Sequence, residues 1–294
     1  MHSLERQLIY LLVLVVVSLP IYFRQSMRPA TMKSASTLFE IINNLEQQEN
    51  TIALLALDFG PNTKAENEPQ AEVIIEHLLR KRIPFALFTL YAPGEGFLKS
   101  IPERVVERLM IEDPGSQYEY GIDWVNLGYR PGNALFIQSV AKSKDLRVEL
   151  EKDIFGTPLK NISLFREIKT IRQVSFLGQF TGLVGVFDTY VQFFQQEGFI
   201  PTFGHGCTSI TIPEAYIYLD SGQLNGLLEG IAGAAWYSKL LKDTYPKRPN
   251  DNALVTNTAL GVAHLMIIFL IIVGNLREAY RWFQSRHAQE GASV

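Results

Sequence analysis

The amino-acid sequence predicts an open, doubly wound, Rossmann-like α/β fold with a mostly parallel sheet, flanked by N- and C-terminal transmembrane helices. Two observations predict it. Nearly uncharged apolar runs lie towards both ends of the 294-residue chain, and short apolar runs alternate with helix-like segments between them. Alternation of this kind is typical of parallel βαβ units, whose right-handed crossovers produce a doubly wound sheet.

The two apolar runs have the length and composition of membrane helices. Residues 8–23 read LIYLLVLVVVSLPIYF and residues 253–275 read ALVTNTALGVAHLMIIFLIIVGN, both without a charged side chain. A membrane helix needs about 17–25 mostly apolar residues. The first run is also compatible with a cleaved signal peptide, but Pro20 and the residues after it lack the small-residue cleavage pattern. We therefore expect an integral membrane protein with two spans and both termini on the same side of the lipid bilayer.

The flanking charges do not decide the side of the membrane on which the central domain lies. Arg and Lys are more numerous at the inner ends of the two spans than at the outer ends, which favours a cytoplasmic domain. Long domains, however, cross membranes largely regardless of such charges, and the side stays undecided. The expected organisation is an anchor (1–24), a linker and helix (25–50), the α/β domain (51–245), the second membrane helix (253–276) and an amphipathic tail (277–294).

Five strands are predicted within the central domain. They are continuous apolar runs bounded by turn residues, at 51–57, 84–91, 121–127, 170–177 and 199–203. Helical spacing of apolar residues predicts helices at 36–48, 71–82, 102–110, 132–142, 182–196 and 222–241. Residues 145–169 fit neither pattern and are predicted to be an excursion or hairpin.

The composition excludes several classes of protein. Hydrophobic residues make up 47% of the chain, with 18 Phe and 12 Tyr, which excludes a disordered chain. Since Lys and Arg number 27 and Asp and Glu number 30, the net charge of −3 argues against nucleic acid as a partner. The single Cys excludes an internal disulfide framework and a multi-cysteine zinc site.

Polar side chains follow the predicted strands. Because the carboxyl ends of parallel strands meet at one edge of the sheet, where ligands bind in this fold class, these side chains are candidates for a ligand site. The candidates are Asp58, Asn62, Asn126, Tyr129, Arg130, Thr208 and Ser209.

Nucleophilic catalysis is one interpretation of the segment Gly204-His205-Gly206-Cys207. A thiol needs a base, and in an extended segment His205 and Cys207 can point the same way, with Asp58 at a neighbouring strand end. No known cysteine-enzyme motif is present. The alternative, which we favour, is a buried structural Cys beside a His that hydrogen-bonds a loop.

The sequence predicts neither a metal nor a cofactor. Metal-ligand motifs such as HExxH and CxxC are missing. The first predicted strand is followed by DFGPNTKAENEP, which contains neither GxGxxG nor GxxxxGK[ST]. Gly178, Gly182 and Gly185 could admit a phosphate to a helix N-terminus, although close helix–sheet packing also explains them and is the interpretation we favour.

Two further features suggest contacts between helices. Gly226, Gly230 and Gly233 are spaced along the predicted final helix, where small residues permit close packing on the sheet or at a subunit interface. His264 is a polar residue within the second apolar run, and it is a functional candidate if that run spans the membrane. Its simpler interpretation is a neutral His bonded to another helix.

Three blocks carry a family resemblance: LDFGPNTKAENEPQAE, DWVNLGYRPGNALFIQ and HGCTSITIPEAYIYLDSGQLNGLLEGIAGAAWYSKLL. They resemble an uncharacterised bacterial family of two-span membrane proteins with a Rossmann-like α/β domain. The resemblance covers roughly residues 50–242 and the anchors, and it implies no activity, cofactor or catalytic residue. The matching positions are Asp58, Asn126, Gly128, Tyr129, Ser221, Gly222, Gln223 and Gly226.

Three functions are compatible with these features. The leading hypothesis is a membrane-anchored α/β domain that acts as a non-catalytic binding or assembly subunit of a homo-oligomeric membrane complex or with a membrane-protein partner. The first alternative is a hydrolase-like enzyme with a strand-end site around Asp58, His205 and Cys207. The second alternative, a transport or sensor component, depends on His264 alone.

Overall fold

A computed structural model describes residues 3–195 and 199–291, which fall into two compact units. The larger unit comprises residues 28–249 and contains the whole sheet. The smaller unit combines residues 1–27 with residues 250–294. The α/β domain is therefore larger than the predicted 51–245.

The helices of the larger unit alternate with strands. Its helices are α2 (Lys33–Asn43), α3 (Lys64–Arg80), α4 (Glu95–Glu112), α5 (Ala134–Lys142), α6 (Leu146–Glu149), α7 (Val186–Phe194), α8 (Ile212–Asp220) and α9 (Gly230–Thr244). Its strands are β1 (Ile52–Leu57), β2 (Phe85–Thr89), β3 (Trp124–Tyr129), β4 (Val174–Thr181), β5 (Phe203–Cys207) and β6 (Gly226–Glu229). The smaller unit contains α1 (Ser3–Tyr22) and α10 (Asn252–Gly291).

The six strands form one sheet in the order β3-β2-β1-β4-β5-β6, and every pair is parallel. This is the strand order of the Rossmann fold, and the order reverses between β1 and β4. The predicted Rossmann-like α/β class is confirmed, and the sheet is wholly parallel over the described residues. Strands buried on both faces suit their sequences, since β1 reads IALLAL and all six residues are buried.

Helices cover both faces of the sheet. Helices α2, α3, α4 and α9 pack together on one face, and α5, α7 and α8 lie on the other. The second face carries a large apolar core in which residues of alternate strand positions, such as Leu54 and Phe203, meet Phe187 and Phe194 of α7. Side chains at the carboxyl edge of this face lie close to the first turns of α5 and α7.

Helix α2 is part of this architecture and not a linker. Leu38, Phe39 and Ile42 are buried. A Cβ at Gly226 of β6 would lie 2.6 Å from the Cβ of Leu38, so the helix lies directly against the strand. The helix predicted at 36–48, within the segment expected to be linker and helix, is present and begins three residues earlier, at Lys33.

Several strands differ from their predicted positions, and β3 and β4 begin three and four residues later than predicted. The predicted strand at 199–203 is displaced, because β5 consists of Phe203 to Cys207, with His205 inside it. Residues 222–241 were predicted as one helix, but Gly226–Glu229 form β6 and α9 begins at Gly230. A four-residue apolar run next to a helix cannot be separated from that helix by periodicity alone. The predicted helix end at residue 196 lies outside the described residues.

The smaller unit contains α1 and α10, which pack against each other. The main-chain N–H of Met27 donates to Oγ1 of Thr258 at 2.9 Å, and Nη2 of Arg24 donates to the carbonyl oxygen of Asn250 at 2.6 Å. These bonds attach the end of the first segment to the beginning of the second.

One helix segment among the described residues, Asn252–Trp282, is long and apolar enough to cross a membrane. The apolar stretch of α1, Arg6–Tyr22, is shorter. Helix α10 continues without a break to Gly291, so the predicted boundary at 276/277 does not separate a tail from the helix. Residues 292–294 of that predicted tail lie outside the described residues.

Candidate functional site

Asp58 lies directly after β1, at the point where the strand order reverses, and its side chain is fully buried. Its Oδ1 accepts from the main-chain N–H of Leu90 at 2.7 Å and from Oγ1 of Thr89 at 3.5 Å. Its Oδ2 accepts from the hydroxyl of Tyr190 at 2.6 Å and from Nε2 of Gln179 at 3.2 Å. Four donors, from the end of β2 and the residue after it, from β4 and from α7, therefore fix this one carboxyl group.

Burial raises the pKa of Asp58 above its ordinary range, and the four donated hydrogen bonds oppose that rise. Burial also raises the pKa of Tyr190 well above its ordinary value, so the phenol stays protonated and donates a hydrogen bond to Asp58. The carboxyl group thus ties the sheet to α7 at the crevice where ligands bind in this fold class.

A cleft of about 370 Å³ opens above Asp58 between the first turns of α5 and α7. We call it the switch-point cleft. Its lining residues are Asp58, Leu90, Tyr91, Asn133, Ala134, Leu183, Val184, Gly185, Val186 and Thr189. The walls are mostly apolar, and none of these residues is basic.

Both helices that begin at the switch-point cleft have unusual residues just before their first turn. Gly185 precedes α7 with a φ of 77°, a left-handed conformation that glycine adopts easily. Asn133 precedes α5 with a φ of 45° and ψ of −118°, a strained conformation for a residue with a side chain. Main-chain N–H groups in the first turn of a helix lack partners within the helix. The cleft therefore combines apolar walls with hydrogen-bond donors.

His205 lies in β5 and is fixed in a neutral form. Its Nδ1 donates to the main-chain oxygen of Gln179 at 2.9 Å, and its ring lies over Phe187 with the ring centres 4.2 Å apart. Burial lowers the pKa of His205 to about 4, although the hydrogen bond to Gln179 acts in the opposite direction. Among the described residues, Gln179 links the imidazole to Asp58, and Oε1 of Gln179 is buried there without a hydrogen-bond partner.

Cys207 lies two residues further along β5 and is fully buried. Burial, together with the nearby charge of Glu229, raises the pKa of its thiol to about 12. Its Sγ lies 3.8 Å from the main-chain oxygen of Leu228. Across the residues that the structure describes, no hydrogen bond joins the thiol to His205. The arrangement does not supply a thiolate, and the proposed role of Cys207 as a nucleophile lacks its chemical basis.

Of the predicted ligand-binding residues, Asp58 alone lines the switch-point cleft. Asn126 is buried in β3, where its Oδ1 accepts from the N–H of Gly128 at 2.9 Å. Arg130 donates to the main-chain oxygen of Lys152 at 2.5 Å, and burial lowers its pKa. Tyr129, at the end of β3, is exposed. The carboxyl end of β3 is thus separate from the cleft.

The remaining predicted ligand-binding residues also lie away from the switch-point cleft. Asn62 is exposed in the loop before α3. The hydroxyl groups of Thr208 and Thr211 lie 3.3 Å apart. The main-chain N–H and the hydroxyl of Ser209 both donate to Oε2 of Glu66, at 2.9 and 2.5 Å.

Glu66 lies in the first turn of α3, the helix that follows β1. In dinucleotide-binding Rossmann domains the pyrophosphate lies at this helix N-terminus. Here a carboxylate is located there and is bonded to Ser209. A Cβ at Gly182 would lie 2.5 Å from Cγ2 of Thr63 and 2.6 Å from Cγ2 of Thr208, so close packing accounts for this glycine.

The three glycines predicted as an interface are buried within the domain. Gly226 packs against Leu38 from its position in β6, and it does not lie on the final helix. A Cβ at Gly230 would lie 2.6 Å from the Glu66 carboxylate, and one at Gly233 would lie 2.8 Å from the main chain of Leu228. Their small size is used for packing inside the chain, and the prediction that they line one helix face is wrong for Gly226.

His264 bonds within its own helix. Its Nδ1 donates to the carbonyl oxygen of Leu260 at 2.8 Å. This bond is made to the preceding turn of the same helix, and the predicted bond to another helix stays a prediction. Within the described parts of the chain, no three His, Cys, Asp or Glu side chains form a group that could hold a metal ion.

Sequence reasoning missed most of the lining of the switch-point cleft. Thr189 is a mid-helix position of α7, and Leu183 and Val184 are ordinary apolar residues in a loop. The available signal was the Gly132-Asn133 pair before α5, since such pairs mark backbone with unusual dihedral angles.

A scan against models of protein families found no match for this chain, and a search of curated proteins found no similar sequence.

Proposed function

We propose that this protein is a membrane-anchored, non-catalytic binding subunit whose α/β domain holds a small ligand in the switch-point cleft. The observation that carries the proposal is the cleft itself. It lies where the strand order reverses, has Asp58 at its base, and is bounded by the first turns of two helices. Ligands of this fold class bind at that position.

The lining favours a particular kind of ligand. Leu90, Leu183 and Val184 offer apolar contact, and the helix N-termini offer N–H donors to an acceptor group. Because none of the lining residues is basic, a polyphosphate would lack a cationic partner there. A small, largely apolar molecule with one hydrogen-bond acceptor fits this lining best.

The rival enzyme hypothesis has less support. A thiol with a pKa of about 12 and an imidazole with a pKa of about 4 are poor partners for proton transfer near neutral pH. The transport or sensor hypothesis depends on His264 alone, and Nδ1 of that residue is bonded to Leu260 of its own helix.

The proposal includes the membrane arrangement. We infer that α10 spans the bilayer and that α1 is a second span, which would put both termini on one side. Support for α10 comes from its long apolar segment, and support for α1 comes from its packing against α10. The membrane helices are also the surface through which we expect copies of the chain to associate, since Gly226, Gly230 and Gly233 are buried. A strict monomer in native mass measurements of the detergent-extracted protein would contradict this last point.

A disulfide-capture experiment tests the switch-point cleft. Val184 lines the cleft and Val148 on α6 does not, yet their exposed fractions are 75% and 73%. The full-length variants Val184→Cys and Val148→Cys would each be incubated with a library of small disulfide-containing molecules under mild reduction and analysed by mass spectrometry. Native Cys207 is buried, so it adds little background.

We expect Val184→Cys to retain a distinct subset of apolar molecules that Val148→Cys does not retain. The same pattern of capture at both positions would show that the cleft has no binding preference and would contradict the proposal. Adding Ala134→Trp to Val184→Cys should abolish the selective capture, because the indole would fill the space beside α5.

A further inference from the structure

A second cleft, of about 390 Å³, lies beside β3, the strand at one edge of the sheet. We call it the β3-edge cleft. Its lining residues all belong to the larger unit, and they are Leu98, Lys99, Glu103, Tyr120, Trp124, Asn126, Ile154 and Phe155. Trp124 and Asn126 alternate along β3 with Val125 and Leu127, which belong to the apolar core of the other face. Because alternate strand residues point to opposite faces, the cleft lies on the α4 side of the sheet.

Asn126 supplies a hydrogen-bond donor to the β3-edge cleft. Its side chain is buried, and its Oδ1 accepts from the main-chain N–H of Gly128 at 2.9 Å. That bond fixes the orientation of the amide, so Nδ2 is the atom left for a ligand. Nδ2 has no hydrogen-bond partner among the described residues, yet it is not one of the unpartnered side-chain atoms that are completely buried. A molecule in the cleft can therefore accept a hydrogen bond from it.

An aromatic side chain is held open at the same cleft. Phe155 is 73% exposed, and its ring meets the ring of Tyr120 edge-on, with the ring centres 5.2 Å apart. The main-chain N–H of Phe155 donates to Oδ1 of Asp153 at 3.0 Å, and that of Ile154 donates to the main-chain oxygen of Asn126 at 2.9 Å. The turn that carries Phe155 is therefore bonded to the edge of the sheet. A planar molecule could pack on this ring with little loss of side-chain entropy.

The charges that line the β3-edge cleft offset each other. Lys99 and Glu103 lie about one turn apart on α4, and both are exposed. Their charges are opposite, and the other described residues of the lining are uncharged. Neither an anion nor a cation is therefore favoured, and the lining suits a neutral molecule.

We propose that the β3-edge cleft binds a neutral, planar aromatic molecule that bears a carbonyl oxygen. The carbonyl oxygen accepts from Nδ2 of Asn126, and the aromatic ring packs against Phe155. The volume of the cleft lies within the range of small-molecule sites, about 300–1,000 Å³. Asn126, which the sequence predicts to be a ligand-binding residue, thus has a ligand away from the switch-point cleft. The inference depends neither on that cleft nor on the membrane helices.

The test is fluorine NMR of para-trifluoromethylbenzamide, titrated with the full-length protein in detergent. Empty detergent micelles give the reference for partition of the probe. Three analogues would be titrated in the same way. The saturated cyclohexane analogue keeps the carbonyl group and lacks the aromatic ring, para-trifluoromethylbenzoate is an anion, and para-trifluoromethylbenzylamine is a cation near neutral pH.

Four variants assign the binding to its cleft. Phe155→Leu removes the ring and keeps an apolar side chain, and Asn126→Asp removes the donor while keeping an acceptor for the N–H of Gly128. Val148→Ala is the matched control, because Val148 is also 73% exposed and lines neither cleft. Ala134→Trp fills the switch-point cleft and shows whether the probe binds there instead.

We expect the benzamide to bind more tightly than its saturated analogue and than either charged analogue. Phe155→Leu should weaken that binding about threefold to tenfold, the usual contribution of an aromatic contact. Asn126→Asp should weaken it about tenfold or more, because the donor is lost. Val148→Ala and Ala134→Trp should leave it unchanged. Thermal unfolding shows whether each variant is folded, and Phe155→Leu decides alone if Asn126→Asp is not.

Any of four results would overturn the proposal. The benzamide may bind no better than to empty micelles, or no better than its saturated analogue. A charged analogue that binds most tightly would assign the cleft to Lys99 or Glu103. Binding that Ala134→Trp abolishes and Phe155→Leu leaves unchanged would place the probe in the switch-point cleft, and the proposed function would then stand without this second site.

Discussion

At the scale of single residues, burial decides what the polar side chains of β1 and β5 can do. Asp58, His205 and Cys207 are all almost completely removed from solvent. Removal from water disfavours the charged form of each group, so the carboxyl and thiol bind protons more tightly and the imidazole less tightly. The three residues are therefore structural parts of the sheet edge, and only Asp58 reaches a cleft.

The first prediction concerns the reactivity of Cys207. With its pKa raised to about 12, the thiol should react with a maleimide at pH 8 about a thousandfold more slowly in the folded protein than in urea. Mass spectrometry of timed samples measures both rates. The variant Val148→Cys is the control and should react rapidly in the folded state. Equal rates for Cys207 in the folded and unfolded protein would restore the enzyme hypothesis.

At the scale of helices and strands, α3 and α4 are joined by buried ion pairs. Glu76 of α3 accepts from Arg80, Arg108 and Arg248, and its side chain is completely buried. Burial alone would raise the pKa of Glu76, but the three guanidinium groups outweigh it and lower the pKa to about 2. Replacing one partner of such a buried cluster leaves the others uncompensated.

The second prediction is the acid sensitivity of this cluster. Because the pKa of Glu76 is lowered in the folded state, its contribution to stability is complete above about pH 4.5 and is lost as the pH falls towards 2. The size of that loss is about 3 kcal/mol. Urea unfolding at several pH values measures it.

Glu76→Gln should be less stable by about 3–5 kcal/mol at pH 7 and should lose less on acidification. Glu107→Gln on α4, an exposed residue, is the control and should follow the parent curve. A parent and a Glu76→Gln variant with parallel pH curves would contradict the assignment.

The third prediction concerns the packing of β6. Gly226→Ala places a Cβ 2.6 Å from Leu38, so it should destabilise the domain by about 1–3 kcal/mol. Gly96→Ala is the matched control, because open space surrounds a Cβ there and alanine favours helix; it should be neutral or stabilising. Thermal unfolding measures both. A Gly226→Ala protein of normal stability but altered subunit number would support the subunit interface instead.

The sequence predicted the sheet better than the site, and the reason is physical. β1 and β2 are continuous apolar runs between turn residues, a local pattern that identifies buried parallel strands. β6 has only four residues and continues directly into α9, so no local signal marks the boundary. The cleft depends on how α5 and α7 approach Asp58, which is a long-range property that one sequence does not encode locally.

At the scale of the whole molecule, the chain consists of an α/β unit and a helical unit built from both termini. The two segments of the helical unit are joined by the bonds from Arg24 to Asn250 and from Met27 to Thr258. The α/β unit is therefore one continuous insertion between two helices that contact each other. We expect its entry and exit points to be close together.

The fourth prediction concerns the membrane. If α10 spans the bilayer, the protein should remain in the membrane fraction after extraction at alkaline pH, because apolar spans are not released by loss of charge interactions. In sealed vesicles, a membrane-impermeant maleimide should label Val148→Cys from one side only, which identifies the side of the α/β unit. Release of the protein by alkali would contradict the span. Equal labelling of Val148→Cys from both sides of intact vesicles would contradict it as well.

Arg248 gives the chain a mechanical property. Among the residues that the structure describes, it is the largest fully buried side chain. It donates to Glu76 through Nε and Nη2 at 2.7 Å each, and it lies one residue before the end of the α/β unit. Tension applied to the chain at Pro249 would be borne first by this ion pair and so by α3, in the middle of the domain. Helix α9 would unfold only after that ion pair breaks. Arg248→Met should therefore lower the unfolding force of the α/β unit, measured by single-molecule pulling, without altering the switch-point cleft.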